Sequence, residues 1–489
     1  MRLFFTRVPS ADGLAREVRA LRLPAGREAA RIGDALSRVS RGTVMSGMPF
    51  VLWDDGSYAS EVNAFLRGLP LGYTADGIPT GRPTRSRESW KAIATDLVVF
   101  GSWLSDVRGV PLWSATTRDA HAYHEARRVV PVGLAGTPAV TAGTWNRNHT
   151  HLKRLYDYAL AAGLAEVNPF GVTGFGREVA VRSRKVRFIS LDVFDQWCEV
   201  GLRGEAAVSG WRESQQATRN VVFAQFLLRT GVRLTEGSSL LVSDLPGRVA
   251  VGTRGVLHLP GAITKGGVDR DVYLTPAGLQ PVNEWMDVER RGLVARALDE
   301  NRYQGDGFIV GRLDRSRVRL RDGTSARTDQ MIPETRRRLI LTDQGGTVLE
   351  PAALWLGNDG LPLSPSSWHS VFRRANDKCA EAGLNVRLTP HMLRHTFAVH
   401  MLSLLLAESM RPIRQMLHSG ADAHTVALRR LLIDPVRMLQ LLLGHAHYTT
   451  TLDHYLPYVQ QATEVSDAAV DRWQSVVGPR LQLLEDGGL

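Results

Sequence analysis

The sequence predicts a mainly α chain in two folded units, the first helical and the second α+β with a small antiparallel sheet. Three observations carry this. Apolar residues recur at three- and four-residue steps over 90–104 and again over 141–163. Two short strand-like runs, VLHLPGAI and DVYL, flank Thr264-Lys265-Gly266-Gly267, the pattern of a β-hairpin. Helical periodicity then returns at Ser367–Gly383 and runs almost to the end.

A chain of 489 residues exceeds one ordinary domain. Residues 1–85 read as an N-terminal extension. It combines Arg-dotted helical stretches (AREVRALRL, GREAARIGDALSRVS) with a less regular segment, VLWDDGSYASEVNAFLRGLP; the turn-rich GIPTGRPTRSRES, from Gly77, then punctuates the chain. The helical unit spans 86–170. Its first helix starts near Ser86 or Ser89 and places Trp90, Ile93, Leu97, Phe100 and Leu104 on one stripe. A short helix is expected at Thr117–Arg128. A longer one, Thr141–Gly163, sets Trp145, Leu152, Leu155, Tyr156 and Ala159 on one side and the cations Arg147, Lys153 and Arg154 on the other. Gly163 suits its end, and Asn168-Pro169 stops the segment.

A linker at 171–187 carries Arg182, Arg184, Lys185 and Arg187, a density suited to tracking a polyanion backbone. The second unit, 188–460, opens with two helices (SLDVFDQWCEVG, TRNVVFAQFLLRTG), continues through the hairpin, and carries a charged insertion at about 300–350 that reads as irregular. Beyond it, 461–489 contains an amphipathic helix with Val465, Ala469, Trp473, Val476 and Val477 on one face. Packing on its own domain and docking on a neighbouring subunit are both open.

Composition bounds the function. The net charge of +11 suits a polyanionic partner, although a coding bias towards Arg gives the same balance. No apolar run approaches the roughly 20 residues that span a bilayer, and the N-terminus lacks the pattern of a secretory signal, so a cytoplasmic location without membrane contact is expected. Cys198 and Cys379 are far apart and outside any CxxC, as buried small hydrophobes are.

Four clusters carry residues with chemical capacity: Arg233 with Glu236 in TGVRLTEGSSL; Lys265; His391, Arg394 and His395 in LTPHMLRHTFA; and His445 with Tyr455 in LLGHAHYTTTLDHYL. His391 and His395 have metal-pair spacing, but Met392 stands where a metalloprotease helix needs Glu, so no metal is assigned. Singly, each cluster has an ordinary explanation in a turn, a surface ion pair or a solvated loop.

Together, in this order, they resemble the tyrosine recombinase (phage integrase) family of mobile-element integrases and transposases. The carrying motifs are Gly231-Val-Arg233-Leu-Thr-Glu236, Lys265 on a hairpin, His391-Met-Leu-Arg394, Leu443-Gly-His445 and Tyr455. The resemblance covers about 86–460 and implies a helical core-binding domain followed by an integrase-like catalytic core. It implies duplex DNA as partner, the nucleoid as its place, and no cofactor. A homotetramer on DNA, or a mixed tetramer with a related recombinase, is also implied.

The resemblance further implies that Tyr455 attacks a DNA phosphate and holds it as a 3′-phosphotyrosyl ester, reopened by a DNA hydroxyl without ATP or metal. Arg233 and Arg394 would clamp the phosphate oxygens in a fork that Lys does not match. Lys265 would protonate the leaving oxygen, His391 help deprotonate Tyr455, His445 bond the phosphate, and Glu236 orient its neighbours. DNA contacts would fall to Arg147, Lys153, Arg154 and the linker cations. In the family the nucleophile falls one residue earlier, which here is His454; Tyr448 and Tyr458 are rival phenols. Type IB topoisomerase activity and a non-catalytic DNA-binding role are the alternatives.

Overall fold

The computed structural model describes residues 1–6, 47–84, 87–132, 137–171, 178, 187–204, 216–418 (apart from 248, 251, 306, 321 and 322), 434–445, 447–449, 451 and 455, with side chains only to 409 in the helix ending at 418. It divides into two compact units, Met1–Ser183 and Arg184–Leu489.

In the first unit β1 (Arg2–Phe5) pairs antiparallel with β2 (Pro49–Leu52). Helices α1 (Ser60–Gly68), α2 (Arg87–Trp103), α3 (Thr117–His124) and α4 (Ala142–Ala161) follow. The α4 start is set by Thr141, whose hydroxyl accepts the Thr144 N–H at 3.2 Å and so satisfies one of the free donors of the first turn. The predicted apolar stripes face one core: Trp90, Ile93, Leu97 and Phe100 of α2 pack with Trp145, Leu152, Leu155 and Tyr156 of α4. Val51, Val62, Phe65 and Leu66 belong to this same core, so the segment that reads as irregular holds a strand and a helix. Both are short enough to escape a periodicity test.

The second unit is built around α6 (Ala217–Thr230), which follows α5 (Leu191–Trp197) and is buried on every side. A helix so enclosed must satisfy its polar groups internally. Arg219 accordingly donates to the Leu356 carbonyl at 2.7 Å and lies 5.3 Å from the Trp368 ring. Phe223 stacks on Trp368 and meets Trp355 edge-on, Trp285 packs against Trp355, and Cys198 and Cys379 are buried in the same core. The hairpin of β3 (Gly255–Leu259) and β4 (Arg270–Leu274) is antiparallel, with Lys265 exposed in its connecting loop. Helices α7 (Pro276–Trp285) and α8 (Arg291–Asp299) lead into the insertion.

The insertion corrects the sequence reading. Residues 309–351 form an ordered five-stranded sheet, order β9-β8-β5-β6-β7, made by β5 (Ile309–Asp314), β6 (Arg317–Leu320), β7 (Ser325–Arg327), β8 (Leu339–Thr342) and β9 (Val348–Pro351). Only β5–β8 is parallel. In β6 apolar residues alternate with Arg, and the charges of β5–β7 hide the period of two. The chain then enters α9 (Pro365–Glu381), α10 (Pro390–His418) and α11 (Pro435–Leu443). The helix expected over Val465–Leu484 lies outside the described residues. Among the described residues no helix is long and apolar enough to cross a membrane.

Candidate active site

The site is assembled at two glycine turns that close helices. Gly231 ends α6 at φ +62°, and a Cβ there would stand 2.2 Å from the Phe397 ring of α10. Gly444 ends α11 at φ +65°, and a Cβ there would lie 2.9 Å from Arg270 Cδ. Both positions combine left-handed backbone with contact too close for a side chain, which is why each motif carries a glycine there.

Arg394, buried on α10, ties these turns together. One of its Nη atoms donates to the Gly231 carbonyl and the other to the Leu443 carbonyl, each at 2.6 Å. Burial brings its guanidinium down to about 9, the nearby Arg233 adds to that and Glu236 opposes it, which leaves it charged at neutral pH. Arg233 follows the Gly231 turn directly. Its backbone N–H donates to Glu236 Oε2 at 2.7 Å and its Nη1 to Oε1 at 3.0 Å, while 23% of its side chain stays open to solvent.

Glu236 is fully buried and also receives Arg270, from Nη1 at 3.0 Å and Nη2 at 2.5 Å. Burial alone would raise its carboxyl. The Arg270 hydrogen bonds and charge, with Arg394 and Arg233 behind them, hold it instead at about 2. Glu236 is therefore an anion that orients cations. Arg270 went unnoticed in the sequence. Its one signal is its place five residues after Lys265 on the hairpin's return strand, where it fastens the hairpin to the Arg233 turn.

Tyr455 is buried at 1% exposure, with its hydroxyl 2.9 Å from His395 Nδ1. Burial pushes its phenol up to about 12 against the pull of Arg394 and Arg233. The imidazole hydrogen-bonded to Tyr455 is thus that of His395, one turn beyond His391 on α10. The two histidine rings meet edge-on at 4.2 Å between centroids. His395 stood in the LTPHMLRHTFA cluster, but only the folded helix shows which of its two histidines meets the phenol. His445 lies parallel to the Tyr455 ring at 6.1 Å, and its Nδ1 sits 2.9 Å from the Thr451 hydroxyl. Of the rival phenols, Tyr448 sits 3.4 Å from Asp434 Oδ1, and Tyr458 lies outside the described residues. Lys265 is exposed on the hairpin loop. Five of the six candidate catalytic residues therefore form one connected cluster, and Lys265 is joined to it through the strand that bears Arg270.

The candidate DNA-contacting cations of the first unit are partly committed within it. Arg147 pairs with Asp96 at 3.4 Å and Lys153 with Asp157 at 2.8 Å. Arg154 bonds the Arg82 carbonyl and the Thr84 hydroxyl, each at 2.8 Å, as well as the Thr80 carbonyl. Of the linker cations, Arg187 is exposed, and Arg182, Arg184 and Lys185 lie outside the described residues. Among the described residues no group of three or more His, Cys, Asp or Glu is placed to hold a metal ion.

Comparison with known proteins gives a consistent pattern. The phage integrase family matches residues 205–405. The tyrosine recombinase XerD of Mycobacterium tuberculosis is 27% identical over 331 residues, covering 68% of this chain and 75% of that protein. XerD of Ralstonia nicotianae is 24% identical over 371 residues, covering 75% and 82%. XerD of Mycobacterium leprae is 32% identical over 130 residues, of which this chain spans under a third, 31% of its length. Among solved structures, the XerH site-specific recombinase bound to difH substrate is similar with a TM-score of 0.40 at 14% identity, covering 78% of this chain and 80% of that one.

Proposed function

We propose, from the match of residues 205–405 to the phage integrase family, that this chain is a site-specific DNA recombinase that cuts and rejoins duplex DNA through Tyr455. The observation that carries the proposal is a buried phenol hydrogen-bonded to His395 and drawn on by the charges of Arg394 and Arg233.

In the first step the Tyr455 oxygen attacks the scissile phosphorus while the bond to the 5′ oxygen breaks. The phenol proton passes to His395, and the departing electron pair on the 5′ oxygen takes a proton from Lys265. Arg233, with part of its guanidinium open, and Arg394, fixed between two turns, meet the charge that builds on the non-bridging oxygens. Removing one such preorganised donor typically costs on the order of 10²–10³ in rate. His445, parallel to the Tyr455 ring at 6.1 Å, would bond the phosphate. The free 5′ hydroxyl of a second strand reverses the step, so the bond energy is conserved without ATP.

Assembly as a tetramer on DNA, alone or with a related recombinase, and origin in a mobile element complete the proposal. The linker cations, with Arg147, Lys153 and Arg154, would then follow the DNA backbone. The test is a nicked suicide substrate incubated in EDTA. Wild type forms a covalent adduct and Tyr455→Phe forms none. Adduct that survives the substitution overturns the nucleophile assignment, and its absence from wild type on every duplex carrying the element ends overturns the reaction.

A further inference from the structure

The inserted sheet presents two unlike faces. One carries Leu313, Val318, Leu320 and Ala326, packed with Leu241, Met331 and Leu339 into a small core of their own. Register fixes the composition of the other. Arg312 lies directly opposite Arg319, Asp314 opposite Arg317, and Arg317 opposite Arg327. Directly opposed residues share a face. Four arginines therefore stand on one side of β5, β6 and β7, with Arg315 at the turn between β5 and β6.

The β8 end of that face is covered, since Ile340 packs with Ala297 and Tyr303. The arginine end is open: Arg317, Arg319 and Arg327 are exposed and Arg312 is half-buried. Among the described residues, five arginines there meet two aspartates, Asp314 and Asp329, of which Asp329 is taken by Arg327. Among the described residues Arg312, Arg317 and Arg319 enter no ion pair.

A merely solvated strand face ordinarily mixes its signs, because like charges placed directly opposite one another destabilise the pairing. This face sets Arg against Arg twice. The arrangement is relieved by a polyanion that brings several negative charges at once. Arg317 and Arg319 are two residues apart on one strand, about 6.8 Å, close enough for both to reach one run of DNA phosphates.

The sheet is also fastened firmly to the catalytic unit. Arg336, buried below β8, donates to Asp244 Oδ2 at 2.6 Å and to the Thr328 carbonyl at 2.8 Å, and Leu241 bridges to Ala353. Leu241 lies five residues beyond Glu236.

We propose that the Arg312–Arg317–Arg319–Arg327 face is a second duplex-DNA-binding surface, contacting phosphates outside the reacting site and holding the catalytic unit on its DNA. The inference rests on the recombinase reading for the identity of the polyanion. It belongs to the insertion and not to the catalytic cluster.

The experiment measures duplex affinity of the full chain against salt. It compares wild type, the triple variant Arg312→Gln/Arg317→Gln/Arg319→Gln, and a charge-matched control, Arg291→Gln/Arg296→Gln/Arg302→Gln, at exposed arginines on and after α8. Each phosphate contact contributes about 0.9 to the slope of log affinity against log salt. The face variant should therefore be shallower than wild type by about 2 to 3 and bind at least tenfold more weakly at low salt, with thermal stability not lowered. A slope equal to wild type, or an equal loss in the control, overturns the proposal. Adduct formation by wild type on the nicked substrate is scored alongside. Adduct with an unchanged slope sinks the sheet's role and leaves the recombinase reading, whereas a reduced slope without adduct keeps the surface and sinks the reaction.

Discussion

At the scale of residues, the account rests on who holds Tyr455. Gly231, Arg233, Glu236, Arg394 and Gly444 all stood in short motifs of the sequence, and the fold brings them together at the two glycine turns. The role of His395 was not legible, since two histidines four residues apart on one helix face are interchangeable until the phenol's position is fixed. His395→Phe should lower the single-turnover rate of adduct formation on the order of 10²-fold, the low end for loss of a positioned proton acceptor. A quenched time course checks this, and a smaller loss in His391→Phe is expected.

Glu236 gives a second residue-scale prediction. Its folded value of about 2 lies below its ordinary 4.5, so its stabilising contribution is complete above pH 4.5 and is lost as pH falls towards 2. That depression corresponds to on the order of 3 kcal/mol at neutral pH. In urea unfolding the gap between wild type and Glu236→Gln should be widest near pH 7 and should narrow as pH falls through that window. A gap independent of pH would mean that Glu236 acts by shape alone.

At the scale of elements, Arg270 decides how the hairpin meets the site. It was invisible in the sequence because a charged residue at a strand end is usually solvated, and nothing local shows that Glu236, 34 positions earlier, lies buried beneath it. Removing one partner of a buried pair leaves the other charge uncompensated, at a typical cost of 3–5 kcal/mol. Arg270→Met should lose about that much in equilibrium unfolding and should also slow cleavage, since the Lys265 loop loses its anchor. If cleavage is unchanged in the folded fraction, the hairpin needs no such tether. The insertion teaches the complementary lesson: a strand of alternating Arg and small apolar residues reads as a charge run until its pairing partner supplies the register.

At the scale of the whole molecule, the boundary between the two compact units, at 183/184, falls within the stretch that reads as a basic linker. The contribution of residues 49–69 to the first core was not legible, because a four-residue strand and a nine-residue helix give too little sequence for a period to emerge. Each unit has its own buried core. Residues 1–183 expressed alone should therefore show a cooperative thermal transition. A non-cooperative melt of that fragment would show that its core depends on the rest of the chain.

The most direct test of the central claim locates the covalent bond. Adduct formed on a nicked duplex is digested with nuclease and protease, and the phosphorylated peptide is sequenced by mass spectrometry. The account predicts the phosphate on Tyr455, within the segment that also holds Tyr448 and Tyr458. Phosphate on either of those tyrosines, or on a histidine such as His454, would contradict it.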